Sequence, residues 1–313
     1  MYINLTFLFY SFKIAITKKV GIIMLKIFTD TDTDITPSIA KEYGIGLISM
    51  PYIEDEVIKY PFKDSDEFDY KTFYSSLRVV EKIPSTCALS PEEYIQYFEK
   101  EFANGNDILY IHFSSVMTAT FDFMKQAVDE LLEKYPERKF YTIDTKAITI
   151  GSYNIVKAIL DYYKENNNIE EVIQFAKKEV DHYATYFFAD DLKFFKKSGR
   201  VSGIAATMGS ILGIKPIIHI DQEGYMKNIG KEKGRRKALN KLVDYVLTLG
   251  EDVKSHRIVI GHTDTLDLAK EVEVILKEKL GNDLKIEYVL VNPVCGCHCG
   301  PNGVGISFYA KHR

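Results

Sequence analysis

The stretch M-L-K-I-F-T-D-T-D-T-D at Met24–Asp34 marks where the fold of this 313-residue chain begins. Its apolar run predicts a first β-strand, after which strand candidates alternate with helical patterns as far as Tyr183. The predicted strands are Leu25–Thr29, Leu47–Tyr52, Asp107–Phe113 and Lys139–Ile143, and the predicted helices are Thr36–Tyr43, Phe68–Leu77, Pro91–Phe102, Phe121–Tyr135, Tyr153–Glu165 and Ile169–Tyr183. Such alternation predicts a mainly parallel sheet flanked by helices, with a ligand site outside the carboxyl ends of its strands.

The pattern changes near residue 180, beyond which strands outnumber helices. The predicted strands are Thr185–Ala189, Lys215–Ile220, Tyr225–Ile229, Arg257–His262, Lys285–Leu290 and Gly305–Tyr309, and the helices are Leu192–Lys197, Ala205–Leu212, Arg236–Leu249 and Leu266–Leu280. We therefore predict two α/β domains, an N-terminal one over residues 24–180 with a mainly parallel sheet and a C-terminal mixed one over residues 181–313.

Residues 1–23 are predicted to be an upstream extension without a role in the fold. Their apolar run is interrupted by Lys13, Lys18 and Lys19, so it stays short of the about 20 apolar residues that span a bilayer. It also lacks the order of basic, apolar and small residues that marks a signal peptide. A membrane-associating leader is the alternative interpretation.

Composition excludes some classes of function. The chain is 46% hydrophobic with a net charge of −4 and a pI near 6.0, which argues against a nucleic-acid-binding protein. Three of the four cysteines crowd near the C-terminus, unlike the spaced framework of a secreted disulfide protein. We therefore expect a cytoplasmic protein.

The T-D-T-D-T-D run at Thr29–Asp34 follows the first strand. Its three alternate carboxylates could hold a cation, but the glycine and the later glutamate of an EF-hand loop are missing. A turn in which Asp and Thr side chains bond to nearby backbone amides is the favoured interpretation.

Two hydroxyl-rich segments precede predicted helices, I-P-S-T-C-A-L-S-P at Ile83–Pro91 and I-H-F-S-S-V-M-T-A-T-F at Ile111–Phe121. In the first, Ser90 and Glu93 also predict a capping box. Free backbone amides and the helix dipole favour an anion at such positions. Ordinary capping explains either segment alone, but two of them together favour a phosphate or carboxylate site.

Two basic runs stand out on this acidic chain. They lie within Ala189–Ser202 and Lys231–Lys237. Each is either a solvated face or a docking surface for an anionic ligand or partner.

The segment V-C-G-C-H-C-G-P-N-G-V-G at Val294–Gly305 allows incompatible interpretations. Cys295, Cys297 and Cys299 could bind zinc or act as a redox centre, although one cluster is weak evidence for a zinc site. If the segment is extended, the three cysteines point to one side of a strand and His298 to the other. We then expect the cysteines to be small packing residues and His298 to be the functional side chain.

These segments together resemble the DegV family of bacterial fatty-acid-binding proteins over nearly all of Met24–Arg313. The matching segments are, in order, T-D-T-D-T-D-I at Thr29–Ile35, T-C-A-L-S-P at Thr86–Pro91, S-S-V-M-T-A-T at Ser114–Thr120, D-L-K-F-F-K-K-S-G-R-V-S at Asp191–Ser202, K-P at Lys215–Pro216, K-E-K-G-R-R-K-A at Lys231–Ala238 and H-C-G-P-N at His298–Asn302.

The resemblance implies a two-domain protein that holds one long-chain fatty acid in a tunnel between its domains and needs no cofactor. It places the carboxylate at Thr86, Thr118 and His298, with help from the position of Lys233. Because Lys233 replaces an arginine of the family pattern and cannot bind in a bidentate manner, Arg235 is expected to substitute in part. Two further departures are Ala119 and Asn302, each in place of a glycine of the family pattern.

The resemblance also implies a partner. A loaded carrier of this family presents the carboxylate to a separate fatty acid kinase, which forms an acyl phosphate for phospholipid synthesis, and the carrier itself is not an enzyme. We expect Arg200, Lys196 and Lys197 to contribute to kinase docking. A transient contact with a membrane surface is left open, and no nucleic-acid partner is expected.

Two alternatives of different classes remain at this point. One is a stand-alone hydrolase or acyl-transfer enzyme that uses His298 or Cys87. The other is a zinc or redox protein that uses Cys295, Cys297 and Cys299.

Overall fold

A computed structural model describes residues 24–79, 82–202 and 213–313. The predictions for residues 1–23 and for the helix Ala205–Leu212 lie outside the described residues. Within the described ranges, no helix is both long enough and apolar enough to cross a membrane.

The first sheet is parallel and has the strand order β2-β1-β6-β7. Its strands are β1 (Leu25–Asp30), β2 (Gly46–Ile48), β6 (Asp107–His112) and β7 (Phe140–Asp144). The helices of this part are α1 (Pro37–Tyr43), α2 (Tyr70–Val79), α3 (Pro91–Ala103) and α4 (Thr120–Lys134). The predicted parallel sheet with flanking helices is confirmed.

Helix α3 shows how local sequence produces these elements. The Ser90 hydroxyl accepts from the backbone N–H of Glu93, whose carboxylate accepts from the Ser90 N–H, so the predicted capping box is confirmed. Tyr94, Phe98 and Phe102 recur every four residues and are buried against the sheet. This apolar stripe orients the helix on the sheet.

The second sheet is mixed and has the order β13-β12-β14-β8-β10-β11-β9. Its strands are β8 (Tyr183–Phe188), β9 (Val201–Ser202), β10 (Ile214–Ile220), β11 (Met226–Lys233), β12 (Arg257–His262), β13 (Lys285–Leu290) and β14 (Val304–Tyr309). The remaining helices are α5 (Ile150–Asn166), α6 (Ile169–Glu179), α7 (Lys193–Ser198), α8 (Arg235–Leu249), α9 (Leu266–Leu280) and α10 (Pro293–Cys299). The predicted mixed α/β part is confirmed.

Helix α5 joins the two sheets. It packs against β8, β12 and β14 of the second sheet. Its buried residues, such as Val156, share one apolar cluster with Leu109 of the first sheet and Val259 of the second. The domain boundary at residue 180 stays a prediction, because this shared core couples the two parts.

The predicted strand Leu47–Tyr52 is two strands, β2 and β3 (Tyr52–Glu54). Between them the N–H of Ser49 donates to the Tyr97 hydroxyl and the N–H of Met50 to the Thr31 hydroxyl, and Pro51 has no N–H to donate. Strand β3 instead forms a small antiparallel sheet with β4 (Val57–Lys59) and β5 (Ser85–Thr86).

The cysteine-rich segment is a helix, so the prediction of an extended strand there is wrong. The Asn292 side chain accepts from the Cys295 N–H and Pro293 occupies the first turn of α10, a pairing that starts helices. Helical geometry places residues three and four apart on one face. Cys295, His298 and Cys299 therefore share a face, and Cys297 points away from it.

Candidate ligand-binding cavity

A cavity lies between the two sheets, beside the carboxyl ends of β1 and β6. Asp32 after β1 and Phe113 after β6 line it from one side, and Gly261 and His262 at the end of β12 from the other. It encloses about 1030 Å³ of open space including its mouth. This is where the parallel strand pattern predicts a ligand site.

Apolar side chains form most of the cavity wall. They come from both sheets and from α10, and include Met50, Phe113, Met117, Ile148, Ile150, Phe187, Phe188, Ala189, Phe195, Met226, Val291, Val294 and Val304. An apolar ligand therefore fits this wall better than a polar one.

One region of the wall is polar. The Thr86 hydroxyl lies 3.0 Å from Nε2 of His298, although β5 and α10 are far apart in sequence. Thr118, at the start of α4, also lines the cavity. The structure thus brings together three of the five side chains predicted for a carboxylate site.

His298 is a neutral imidazole at neutral pH. Burial, together with the nearby Arg200 guanidinium, lowers its pKa to about 4. A neutral imidazole has one N–H donor and one acceptor nitrogen. Because the bond between Thr86 and His298 uses one of their two hydrogens, the pair can donate one further hydrogen bond to an anionic group in the cavity.

Lys233 and Arg235 occupy a different place from the one predicted for them. Lys233 is the exposed last residue of β11, and Arg235 forms an ion pair with Asp190 at 2.6 Å. Neither is among the described residues that line the cavity. The cation that does line it is Arg200, whose Nε donates to the Met117 carbonyl.

Arg200, Lys196 and Lys197 were predicted as docking residues, and all three are exposed. A surface groove lies next to the cavity and shares Thr86, Arg200 and His298 with it. Lys197 also lines this groove, and its ammonium donates to the Ile83 carbonyl. The polar region of the cavity therefore faces a cationic surface.

The turn after β1 is a short 3-10 helix over Thr31–Thr33, with Asp30 as its N-cap. Asp30 accepts from the Tyr110 hydroxyl, and Asp34 accepts from the N–H and side-chain amide of Asn292. The capping interpretation of this run is confirmed for Asp30. Asp34 in addition anchors the start of α10 to the first sheet.

The buried Asp34 carboxyl makes folding stability depend on pH. Burial raises its pKa to about 7, above the unfolded value, so its contribution is full at low pH and is lost as pH rises through about 7. In Asp34→Asn the side-chain oxygen can still accept from Asn292 but cannot ionise. We expect the free energy of unfolding to fall less between about pH 5 and about pH 8 in this variant than in the parent.

Urea unfolding at the two pH values measures this difference. The exposed Asp267 in the first turn of α9 provides the matched control, and Asp267→Asn should keep the pH dependence of the parent. If the free energy of unfolding changes equally between the two pH values in the parent and in Asp34→Asn, Asp34 is not the source of the pH dependence.

The cysteines sit in an apolar setting. Cys295 and Cys297 are buried, and burial raises the pKa of all three thiols of α10. Across residues 24–79, 82–202 and 213–313, no group of three or more His, Cys, Asp or Glu side chains is arranged to hold a metal ion. Burial also raises the pKa of the Cys87 thiol, which leaves little thiolate for nucleophilic attack.

The sequence reasoning missed two side chains at the cavity. Asp32 was treated only as part of a turn, and Arg200 only as a docking residue. For Asp32 the available signal was its position in the turn after strand β1, because ligand sites gather outside the carboxyl ends of strands.

The model of the family described as "Uncharacterised protein, DegV family" matches residues 24–311 of this chain. The chain belongs to the DegV family. A DegV domain-containing protein of Clostridium perfringens is 31% identical to it over 284 residues, which is 90% of this chain and 96% of that protein.

Two solved structures share the fold of this DegV protein. A DegV lipid-binding protein from Thermotoga maritima has a TM-score of 0.79 and 21% identity, covering 93% of this chain and 100% of that one. A stearic acid-binding protein from Eubacterium ventriosum has a TM-score of 0.80 and 20% identity, covering 92% and 99%.

Proposed function

We propose that this DegV protein binds one long-chain fatty acid in the cavity between its two sheets. The observation that carries the proposal is the Thr86–His298 pair, 3.0 Å apart, in a wall formed mostly by apolar side chains. The names of the Thermotoga and Eubacterium structures state that those two proteins bind lipid and stearic acid. The shared fold makes the same ligand class the first candidate here.

The energetics of the cavity favour such a ligand. Each methylene group removed from water contributes about 0.8 kcal/mol, so a long acyl chain gains much from the wall of Phe, Met, Ile and Val side chains. A carboxylate buried without partners costs several kcal/mol. Thr86, Thr118 and His298 would supply the hydrogen bonds that remove this cost.

In this proposal the cation near the bound carboxylate is Arg200, and not Lys233 or Arg235 as the sequence predicted. It lines the cavity beside His298, whereas Arg235 pairs with Asp190. A guanidinium near the bound carboxylate supplies a favourable charge that the neutral imidazole lacks.

The proposed role is that of a carrier rather than an enzyme. The polar region opens onto the groove lined by Lys197 and Arg200, where a bound carboxylate would be reachable from outside. A separate fatty acid kinase docking there, in contact with Lys196, Lys197 and Arg200, would form the acyl phosphate. A cytoplasmic location and transient contact with a membrane surface belong to the same proposal.

The proposal is tested by ligand uptake. Delipidated protein should bind hexadecanoic acid at one molecule per chain, measured by native mass spectrometry and calorimetric titration. Arg200→Ala should weaken binding about tenfold, through loss of an interaction worth about 1.4 kcal/mol. The matched control is Arg235→Ala, which should bind as the parent does.

Absence of any uptake by folded, delipidated protein would overturn the carrier proposal. If Arg200→Ala and Arg235→Ala weaken the binding of hexadecanoic acid equally, Arg200 is not part of the carboxylate site. If binding to an added fatty acid kinase persists after the charges of Lys196 and Lys197 are reversed, these residues do not form the docking surface.

A further inference from the structure

Of the three aspartates in this turn, Asp32 is the one that lines the cavity. The carboxyls of Asp30 and Asp34 accept hydrogen bonds from Tyr110 and from Asn292. Asp32 is only 6% exposed and lines the cavity, yet its Oδ1 has no hydrogen-bond partner among the described residues. A residue of the cavity wall thus carries a buried carboxyl oxygen whose bonding capacity is unused.

The chemical state of Asp32 follows from its surroundings. Burial, reinforced by the neighbouring Asp30 and Asp34, raises the pKa of its carboxyl well above the usual range. A protonated carboxyl has one O–H donor and can also accept. It is therefore suited to pair with a neutral group that both donates and accepts, of which a hydroxyl is the simplest.

The position of Asp32 relative to the carboxylate site follows from α10. Asp32 and the Cys295 side chain are close enough for each to shift the pKa of the other, and Cys295 and His298 lie on the same face of α10, both against the cavity. Three residues of helix rise about 4.5 Å. A ligand whose carboxylate is at His298 would thus pass Asp32 within its first few carbons.

The turn that carries Asp32 is held in place from several directions. The Thr149 N–H donates to the Asp32 carbonyl, the Thr31 hydroxyl accepts from the Met50 N–H, and Asp34 is bonded to Asn292. Asp32 cannot leave the wall without breaking these contacts. A fixed, unpaired polar atom discriminates more strongly between ligands than a mobile one, because a mismatched ligand leaves it unsatisfied.

We propose that Asp32 makes this cavity select acyl chains that carry a hydroxyl group close to the carboxylate over unsubstituted chains. The proposal rests on the proposed fatty-acid-binding function and specifies its ligand class. The hydroxyl donates to one oxygen of Asp32 and accepts from the other. An unsubstituted chain places a methylene group there and leaves Oδ1 unpaired.

The test compares three acids of equal length on delipidated protein. They are hexadecanoic acid, β-hydroxyhexadecanoic acid and ω-hydroxyhexadecanoic acid. The β-hydroxy acid should bind about tenfold more tightly than hexadecanoic acid, the effect of one well-made buried hydrogen bond. The ω-hydroxy acid carries its hydroxyl at the far end and should show no such gain.

Substitutions at Asp32 provide the second part of the test. Asp32→Ala should lose the preference for the β-hydroxy acid over hexadecanoic acid. Asp32→Asn keeps a donor and an acceptor and should retain part of the preference. Circular dichroism and unfolding curves check that the variants fold. If a variant does not fold, the comparison of the three acids on the parent protein still tests the proposal.

The outcomes separate the two proposals. If hexadecanoic acid binds but the β-hydroxyl brings no gain, or the gain survives in folded Asp32→Ala, the Asp32 inference is overturned and the carrier function stands. If none of the three acids binds, the carrier function itself fails.

Discussion

The His298→Ala protein is expected to bind hexadecanoic acid about a hundredfold more weakly than the parent. His298 is bonded to Thr86 at 3.0 Å and lies where the apolar cavity meets the surface groove. Its loss leaves a buried carboxylate short of one donor and frees Thr86 from its partner. Truncation of one member of a buried pair that includes a charge costs about 2–5 kcal/mol, and about 2.8 kcal/mol corresponds to a hundredfold in affinity.

Cys299→Ala provides the matched control for this result. Cys299 follows His298 on α10 and also lines the cavity, but it contributes no strong hydrogen-bond donor. We expect its affinity to change by less than about threefold, the effect of a small apolar truncation. Calorimetric titration measures both variants, and parent-like affinity in folded His298→Ala would remove this residue from the carboxylate site.

The Gly300→Ala protein is expected to be less stable than the parent by about 3–5 kcal/mol. Gly300 ends α10 with φ 68° and ψ 178°, a conformation that essentially only glycine adopts. A Cβ atom there would lie 2.2 Å from Cδ2 of the Phe194 ring. Phe194 is buried, so the ring cannot move aside without disturbing α7.

Substitution of a second glycine distinguishes the cost of backbone strain from the cost of the steric clash. Gly281 ends α9 with φ 89° and ψ 172°, the same backbone region, but a Cβ there would meet only Lys254 Nζ, at 3.7 Å. Gly281→Ala therefore tests the backbone term alone and should cost about 1–3 kcal/mol. Guanidinium unfolding compares the two variants, and equal losses would show that the contact with Phe194 does not matter.

Much of the secondary structure was predictable because its signals are local. The strands Arg257–His262 and Lys285–Leu290 and the helix Leu266–Leu280 have the predicted bounds. Such elements are encoded by alternating or helical patterns of apolar residues within a few turns of chain. The capping box at Ser90 was equally readable from four adjacent positions.

The errors fell where a local signal was misread or a distant partner decided the outcome. Asn292 and Pro293 already indicated a helix start, but the alternating cysteines suggested a strand. The break between β2 and β3 depends on the hydroxyls of Tyr97 and Thr31, which lie outside any local window. Long-range hydrogen bonds of this kind leave no local pattern.

The candidate site, too, was predictable only in part. Thr86, Thr118 and His298 were chosen from sequence motifs, and the cavity lining contains all three. The motif arginine was assigned to Lys233 and Arg235, but Asp190 engages Arg235 and Arg200 reaches the cavity instead. Which cation lies beside His298 depends on how α7 packs against α10.

The sequence by itself determined the family, the order of strands and helices, and the hydroxyl and imidazole groups available to an anion. Only the tertiary structure decided which of those groups meet. Thr86 and His298 are 212 positions apart, and Asp34 and Asn292 are 258 positions apart. Helices and strands follow from contacts between near neighbours, whereas a cavity is formed by side chains that packing brings together from distant segments. For that reason the carboxyl of Asp32, an ordinary turn residue in the sequence, became visible as part of the cavity wall only in three dimensions.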